Sequence, residues 1–162
     1  MKIGLTGDTH NNLTNIKKIC QIFNSVELVC VFHTGDITLP KSLESFCNLI
    51  APLKGVFGNN DQEEKSDLIK ICKKYNFDFS GESRVDHISN RLIHTVHDPQ
   101  DINRKYLKEN NIILHGHTHR FRNERINGAT IFNPGECAGF MKGSNKIGII
   151  DLELIEMETI NF

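Results

Sequence analysis

The chain has 162 residues, with 19 Lys plus Arg against 20 Asp plus Glu and a net charge of −1. This length fits a single domain over 1–162 that needs neither a disulfide nor a structural metal merely to fold. The balanced charge excludes an overall basic face for long nucleic acid and a polybasic membrane patch. Hydrophobic residues make up 38% of the chain, with 10 Phe and no Trp, which suits a soluble globular protein.

Residues 2–6 form an apolar run that ends at Gly7 and predicts a buried strand. Leu13, Ile16, Ile19, Cys20 and Phe23 recur at helical spacing behind Asn12, a plausible cap. Residues 27–33 predict a second strand, and Pro40 opens a short helix that turns Leu43, Phe46 and Cys47 inward. Residues 53–57 predict a third strand. Residues 63–75 predict a helix with Leu68, Ile69, Ile71 and Cys72 on or near one face. The second half is richer in strands: 84–88 and 91–96 pair around Ser89-Asn90, and 111–115 follows a helix predicted from Pro99 to Asn110. Asn127-Gly128 marks another hairpin, and 146–152 and 154–160 give two last strands. The order βαβαβα followed mainly by β predicts a sheet fed by crossover helices with a second, largely antiparallel sheet packed on it.

The five cysteines, Cys20, Cys30, Cys47, Cys72 and Cys137, include no Cys-x-x-Cys pair and are odd in number. They read as scattered buried thiols of a reducing compartment rather than a zinc ribbon or redox pair. Asp8 interrupts the N-terminal apolar run too early for a signal peptide, and no apolar run reaches the ~18 residues that span a bilayer. These features predict a cytoplasmic protein.

Eight histidines are an unusual number, and six lie between His87 and His119. Several sit where predicted strands end. Strand one ends in Asp8-Thr9-His10, strand two in Gly35-Asp36, and strand three in Gly58-Asn59-Asn60-Asp61. Strand 91–96 ends in His97-Asp98, and strand 111–115 in Gly116-His117-Thr118-His119. In α/β sheets, ligands bind in the crevice beyond the carboxyl ends of the strands. Five strands thus each deliver a candidate ligand to that end. Asp8, His10, Asp36, Asn59, His97, His117 and His119 combine carboxylate, imidazole and amide oxygen, which suits Mn, Fe, Zn, Co or Ni better than thiolate-loving metals. Seven residues give eight ligand positions for two divalent ions if Asp36 bridges. Two dications against two carboxylates leave positive charge for a phosphate group, and a metal-bridging hydroxide supplies a nucleophile.

In this order, Asp-x-His, Gly-Asp, Gly-Asn-x-Asp, a strand-terminal His and Gly-His-Thr-His resemble the calcineurin-like metallophosphoesterase superfamily. The short chain and Asn133-Pro134-Gly135 resemble its small bacterial and archaeal phosphodiesterase branch. The resemblance covers residues 1 to about 137. It implies a two-sheet β-sandwich flanked by helices in four layers. It also implies a binuclear centre, Mn-preferring, that hydrolyses phosphate diesters. Metal one would take Asp8, His10, Asp36 and His119, and metal two Asp36, Asn59, His97 and His117. Members that cleave monoesters usually place a His after the ligating Asn. Here Asn60 stands there, able to hydrogen-bond a phosphate oxygen but not to act as an acid. His10, Asp36 and Asn60 are therefore the expected catalytic residues, and a small phosphodiester the expected substrate. Small relatives often form dimers or tetramers, so a homo-oligomer is expected by resemblance. A second departure is Asp98, where the family usually has Gly; a role beside a ligating His fits it.

The remaining histidines have plainer explanations. His94 lies three residues before His97 on the opposite face of its strand, His33 and His115 suit satisfied buried positions, and His87 a solvated one. Asp61 suits a cap or an orienting group and Cys137 a packing residue; Arg120 and Arg122 read as a solvated face, with a phosphate contact by either as the lesser alternative. Two alternatives to a phosphodiesterase are a non-catalytic scaffold of the same fold that binds a protein partner, and a phosphomonoesterase. The first is opposed by the completeness of the seven donors and the second by Asn60.

Overall fold

The computed structural model describes residues 1–162. Three βα units open the chain: β1 (Lys2–Thr6), α1 (Leu13–Asn24), β2 (Val31–His33), α2 (Pro40–Glu44), β3 (Leu53–Val56), α3 (Lys65–Tyr75) and β4 (Asp78–Ser80). A second group follows as β5 (Ser83–Ile88), β6 (Arg91–Val96), β7 (Ile112–Leu114), β8 (Arg122–Ile126) and β9 (Ala129–Asn133). The chain then returns to the first sheet with β10 (Lys146–Asp151) and β11 (Glu156–Asn161). The sheets run β11-β10-β1-β2-β3-β4 and β5-β6-β7-β9-β8. Both are mixed: β1 to β4 are parallel, β10 is antiparallel to β1, and β7 is parallel to both β6 and β9.

Local chemistry explains the boundaries. The Asn15 N–H donates to Asn12 Oδ1, capping α1, which buries Ile16, Ile19, Cys20 and Phe23 one and two turns apart. Asn76 ends α3 in the left-handed conformation at φ 57°. Asn127 and Gly128, both at positive φ, close the β8–β9 hairpin with the twist a two-residue turn requires.

Burial then stacks the elements in four layers. Ile16, Phe23, Leu43, Phe46 and Leu68 from the helical side pack with Val31, Leu53, Ile147 and Ile149 of the first sheet. Ile3, Leu5, Phe32 and Ile150 of that sheet meet Ile93, Ile112, Leu114 and Phe132 of the second. On the second sheet, Ile113, Ala129 and Ile131 are covered by Ile102, Tyr106 and Leu107. The expected α/β sandwich of two sheets flanked by helices is therefore present. No helix is long and apolar enough to cross a membrane.

The structure corrects the expected elements at several points. Residues 99–110 form two separate 3-10 turns, Pro99–Asp101 and Arg104–Tyr106, rather than one helix. Asn103 Oδ1 accepts the Lys105 N–H, and Ile102 is extended at ψ 111°, so a local side-chain turn outcompetes the helix. The second strand occupies only 31–33, with Glu27 and Val29 exposed ahead of it. β4, at three residues, is too short to show a period. Cys47 is exposed rather than turned inward, and Ile69 is 39% exposed because it falls off the buried stripe of Leu68 and Cys72.

Phe32 is fully buried between the two sheets. Truncating Phe32→Ala removes an inter-sheet ring and should cost about 3–5 kcal/mol, seen as a melting temperature lower by about 10 °C in thermal circular dichroism.

Candidate metal centre

β1, β2, β3, β6 and β7 all release their chains at one end of the sandwich, and the seven expected donors meet there. Ligand atoms of Asp8, His10 and His119 lie within 4.8 Å of one another, as do those of Asp8, Asp36 and His97. His97 Nε2 is 3.4 Å from Asp36 Oδ1 and 2.9 Å from Asn59 Oδ1. His117 Nδ1 is 3.1 Å from the same Asn59 oxygen and 3.2 Å from His97 Nε2. On the other side of Asp36, Oδ2 is 3.9 Å from His10 Nε2, and His119 Nε2 is 3.6 Å from Asp8 Oδ1. Asp8 belongs to both groups of converging atoms, whereas Asp36 presents one oxygen to each side. That division of its two oxygens suits Asp36 to a shared position.

The backbone is bent to achieve this. Asp8, His10, Asp36, His117 and His119 all have φ between 44° and 65°, in the left-handed region that costs a non-glycine residue of order 1–3 kcal/mol. Two glycines make room for the carboxylates. A Cβ on Gly58 would meet Asp36 Oδ1 at 2.2 Å, and one on Gly116 would meet Asp8 Oδ2 at 2.7 Å. Asp61 fixes the Asp36 loop, accepting N–H groups from Asp36, Ile37, Thr38 and Gly58 at 2.7–2.9 Å. It is the expected orienting group.

Outer partners set the imidazole tautomers. The Thr34 carbonyl can only accept, so His97 Nδ1 carries the hydrogen at 2.8 Å and Nε2 is the nitrogen turned toward Asp36 and Asn59. His117 Nε2 faces Asp98 Oδ2 at 3.6 Å, and His119 Nδ1 faces Glu136 Oε2 at 3.6 Å, leaving the opposite nitrogen of each toward the cluster. The Gly35 N–H donates to His33 Nδ1, so His33 Nε2 donates to Thr9 Oγ1 between Asp8 and His10.

This donor set fits divalent ions. His10 Nε2 is buried with no hydrogen-bond partner. His97 Nε2 and His117 Nδ1 both lie against one amide oxygen, an acceptor-rich arrangement that a cation relieves, whether a proton on His97 or a metal ion. Charge points the same way. Burial pushes the Asp8 carboxyl up to about 6, against the pull of His97 and His119. Burial also raises Asp36, but the His97 hydrogen bond and charge, with the Asn60 N–H groups, outweigh it and hold Asp36 well below the usual carboxylate range. Burial lowers His97, yet the hydrogen bond and charge of Asp36 and the charge of Asp8 carry it up to about 8. Burial lowers His10, despite Asp36. Bound cations would favour the ionised carboxylates and neutral imidazoles that ligation needs.

The remaining expected residues sort cleanly. His33 is buried directly behind the donor cluster, on Thr9, while His94 and His115 are buried outside it and His87 is exposed on β5. Burial holds His33 at about 3 and His115 at about 4. His94 Nε2 meets Ser83 Oγ at 3.0 Å, and its ring packs on Tyr106. Cys137 is a buried thiol bonded to the Lys146 carbonyl and pushed up to about 12 by burial. Arg122 pairs with Glu124, and Arg120 is exposed. Asn60 differs from expectation: its N–H donates to Asp36 Oδ1 at 2.9 Å and its Nδ2 to Asp36 Oδ2 at 2.7 Å, so it grips the ligand rather than an open phosphate position. Two contributors have no signal in the sequence. Glu136, 1% exposed, stands behind His119 and also accepts the N–H groups of Phe140 and Met141. The Phe140 ring stacks on His119 at 5.7 Å and 2° and lies 5.1 Å from His10.

With the fold and centre described, comparison with known proteins gives the class. Residues 1–154 match the calcineurin-like phosphoesterase superfamily domain, and the chain belongs to that superfamily. It is 33% identical over 165 residues to phosphodiesterase MJ0936 of Methanocaldococcus jannaschii, covering 99% of this chain and 98% of that one. Among solved structures it superposes on a novel archaeal phosphodiesterase with a TM-score of 0.90 at 31% identity, over 100% of both chains. YfcE, a phosphoesterase from E. coli, shares the fold with a TM-score of 0.76 at 19% identity, over 99% of this chain and 98% of that one.

Asp8 gives the centre a pH signature. Its folded pKa of about 6 exceeds the ordinary 3.8, so without metal the folded state loses stability as pH rises from about 4 to 6. His97, raised to about 8, adds stability that is full below about 6.5 and lost as pH rises through 8. In EDTA, Asp8→Asn should therefore melt about 5 °C above the wild type at pH 7 and level with it at pH 4. A metal-free Asp8→Asn protein that melts below the wild type at pH 7 contradicts the assigned strain.

Proposed function

We propose that the protein is a binuclear metal-dependent phosphodiesterase, most active with Mn²⁺ and acting in the cytoplasm on small phosphate diesters. The observation that carries this function is the convergence of Asp36 with both donor groups, one oxygen toward His97 and the other toward His10. Asp8, His10, Asp36 and His119 would hold one ion, and Asp36, Asn59, His97 and His117 the second. When bound, two such ions supply Lewis acidity toward the phosphoryl oxygens and lower the pKa of water to roughly 7, which provides a nucleophile. The free cysteines support a reducing compartment, and the phosphodiesterase relative of similar length supports the reaction class.

The chain's own residues have distinct parts in this activity. Asn60 and Asp61 fix Asp36 from opposite sides: Asn60 donates its backbone and side-chain N–H groups to the Asp36 carboxylate, and the Asp61 carboxylate accepts the Asp36 backbone N–H. Thr34, Asp98 and Glu136 engage the far nitrogens of His97, His117 and His119 and so aim the opposite nitrogen of each ring at the cluster. No His follows Asn59, so nothing at that position donates a proton to a poor leaving group, and diesters with stable leaving groups are favoured over alkyl monoesters. His10, with its bare Nε2 in the cluster, stays neutral because burial lowers its pKa.

Two measurements test the proposal. Asp36→Asn should lower the bound Mn²⁺ from two ions to one or none and reduce kcat/KM on bis(p-nitrophenyl) phosphate at least 1000-fold (about 4 kcal/mol). Two ions retained with wild-type turnover would reject Asp36 as the shared ligand. The wild type should also turn over that diester with a higher kcat/KM than any simple alkyl monoester; the reverse order rejects the diester preference.

A further inference from the structure

Phe140 is not explained by the donor cluster alone. Its side chain is 68% exposed although it sits directly beside two candidate ligands, stacked on His119 and tilted against His10. The ring is held in that place. Glu136, buried beneath it, accepts the backbone N–H groups of Phe140 at 3.3 Å and Met141 at 2.7 Å. Gly139 and Gly143, at φ 81° and 80°, supply the bends on either side of the loop. A ring carried on a backbone tied in this way, packed against two imidazoles and still open to water, is a preorganised surface, because binding to it loses little further conformational entropy.

The surroundings indicate what would rest on it. Phe140 lines a recess of about 590 Å³ with His10, Asn11, Asn12, Leu13, Thr14 and Ala138. Leu13 and Ala138 are apolar, while Asn11 and Thr14 are polar. Asn11 Oδ1 accepts the Thr38 and Ser42 hydroxyls, which leaves its amide N–H groups for an incoming polar edge. Asn12 is committed at both ends, to the Ala138 carbonyl and to the Asn15 N–H. On the opposite flank, a recess of about 230 Å³ is lined by the candidate ligands Asn59, His97 and His117 together with Gln62, Glu82, Asp98 and Asp101, and its one hydrophobic residue, Phe57, is only 2% exposed. The two flanks of the candidate centre therefore differ: one exposes an aromatic ring beside an amide, the other buries its ring and exposes carboxylates. A phosphodiester carries two ester groups, and only the first flank offers a flat apolar face.

We propose that Phe140 is a specificity-determining residue that stacks a planar aromatic ring, such as a nucleobase, carried by one ester group of the substrate. The proposal rests on the phosphodiesterase function above and adds the class of alcohol. The Phe140 face turned from His119 receives the ring, and the Asn11 amide meets its polar edge. Phosphorus then sits beside His10 and His119.

Two esters with the same leaving group isolate this interaction: thymidine 5′-(p-nitrophenyl) phosphate and methyl p-nitrophenyl phosphate, each releasing p-nitrophenolate. The wild type should favour the thymidine ester about tenfold or more in kcat/KM, the size expected of one base stacked on an aromatic ring. In Phe140→Ala that ratio should fall below about threefold, with Phe140→Leu between the two. The ratio cancels any decrease common to both esters. An unchanged ratio in Phe140→Ala, as expected if the ring only shields the histidines, overturns the proposal, as does a wild type with no preference. Binding provides an arm independent of turnover. In ligand-observed NMR on Zn²⁺-loaded protein, thymidine 5′-monophosphate should show saturation of its base protons and a Kd at least fivefold weaker in Phe140→Ala. An equal Kd in wild type and variant overturns the proposal. Weaker nucleotide binding by the variant, in a protein that hydrolyses neither ester, supports the stacking role and rejects the phosphodiesterase function instead.

Discussion

Everything in this molecule answers to one electrostatic constraint: two carboxylates, Asp8 and Asp36, are taken out of water close together and ringed by imidazoles. Neither is free to relax. Asp36 is clamped by Asn60 and, through its backbone, by Asp61, while Asp8 accepts the N–H of His117 with both oxygens. A like-charged pair in a poorly hydrated crevice is strongly unfavourable unless something positive joins it. His97 partly fills that need as an imidazolium, but the partnerless Nε2 of His10 shows that protons alone leave the cluster under-satisfied.

The fold is arranged around that constraint. Parallel strands in both sheets release their chains toward the same end, so single residues after β1, β2, β3, β6 and β7 reach a common point without long loops. The cost is left-handed backbone at five of the seven donors. Rigid sheet hydrogen bonding directly behind each loop is what allows such conformations to persist. The layer of Ile3, Leu5, Phe32, Ile112, Leu114 and Phe132 holds the two sheets together and thereby fixes the distance between donors that arrive from different sheets.

The seven donors are legible in the sequence because each is a special residue at a place defined locally, namely the end of an apolar run beside a glycine. The parallel sheet and its helices are legible for the same reason, since their periods are local. What escapes is decided by partners far along the chain. Glu136 lies next to His119 in space, yet nothing in Asn133-Pro134-Gly135-Glu136 says that its carboxylate faces an imidazole. Asn60 has the right type for a phosphate contact, and only the approach of Asp36 diverts it. Residues 99–110 have helical composition, but the side chain of Asn103 captures the Lys105 N–H and breaks the run. β4 is three residues long and owes its place to β3 rather than to its own pattern.

The position of β10 has a mechanical consequence. β1 lies between β2 and β10, pairing Lys2, Ile3, Gly4 and Leu5 with Asp151, Ile150, Ile149 and Gly148. The strand that aims Asp8 and His10 is thus hydrogen-bonded on both edges, by a parallel neighbour close in sequence and by an antiparallel one far along the chain. A substitution that loosens β10 therefore reaches the Asp-x-His turn through the sheet, although no residue of β10 is a candidate ligand.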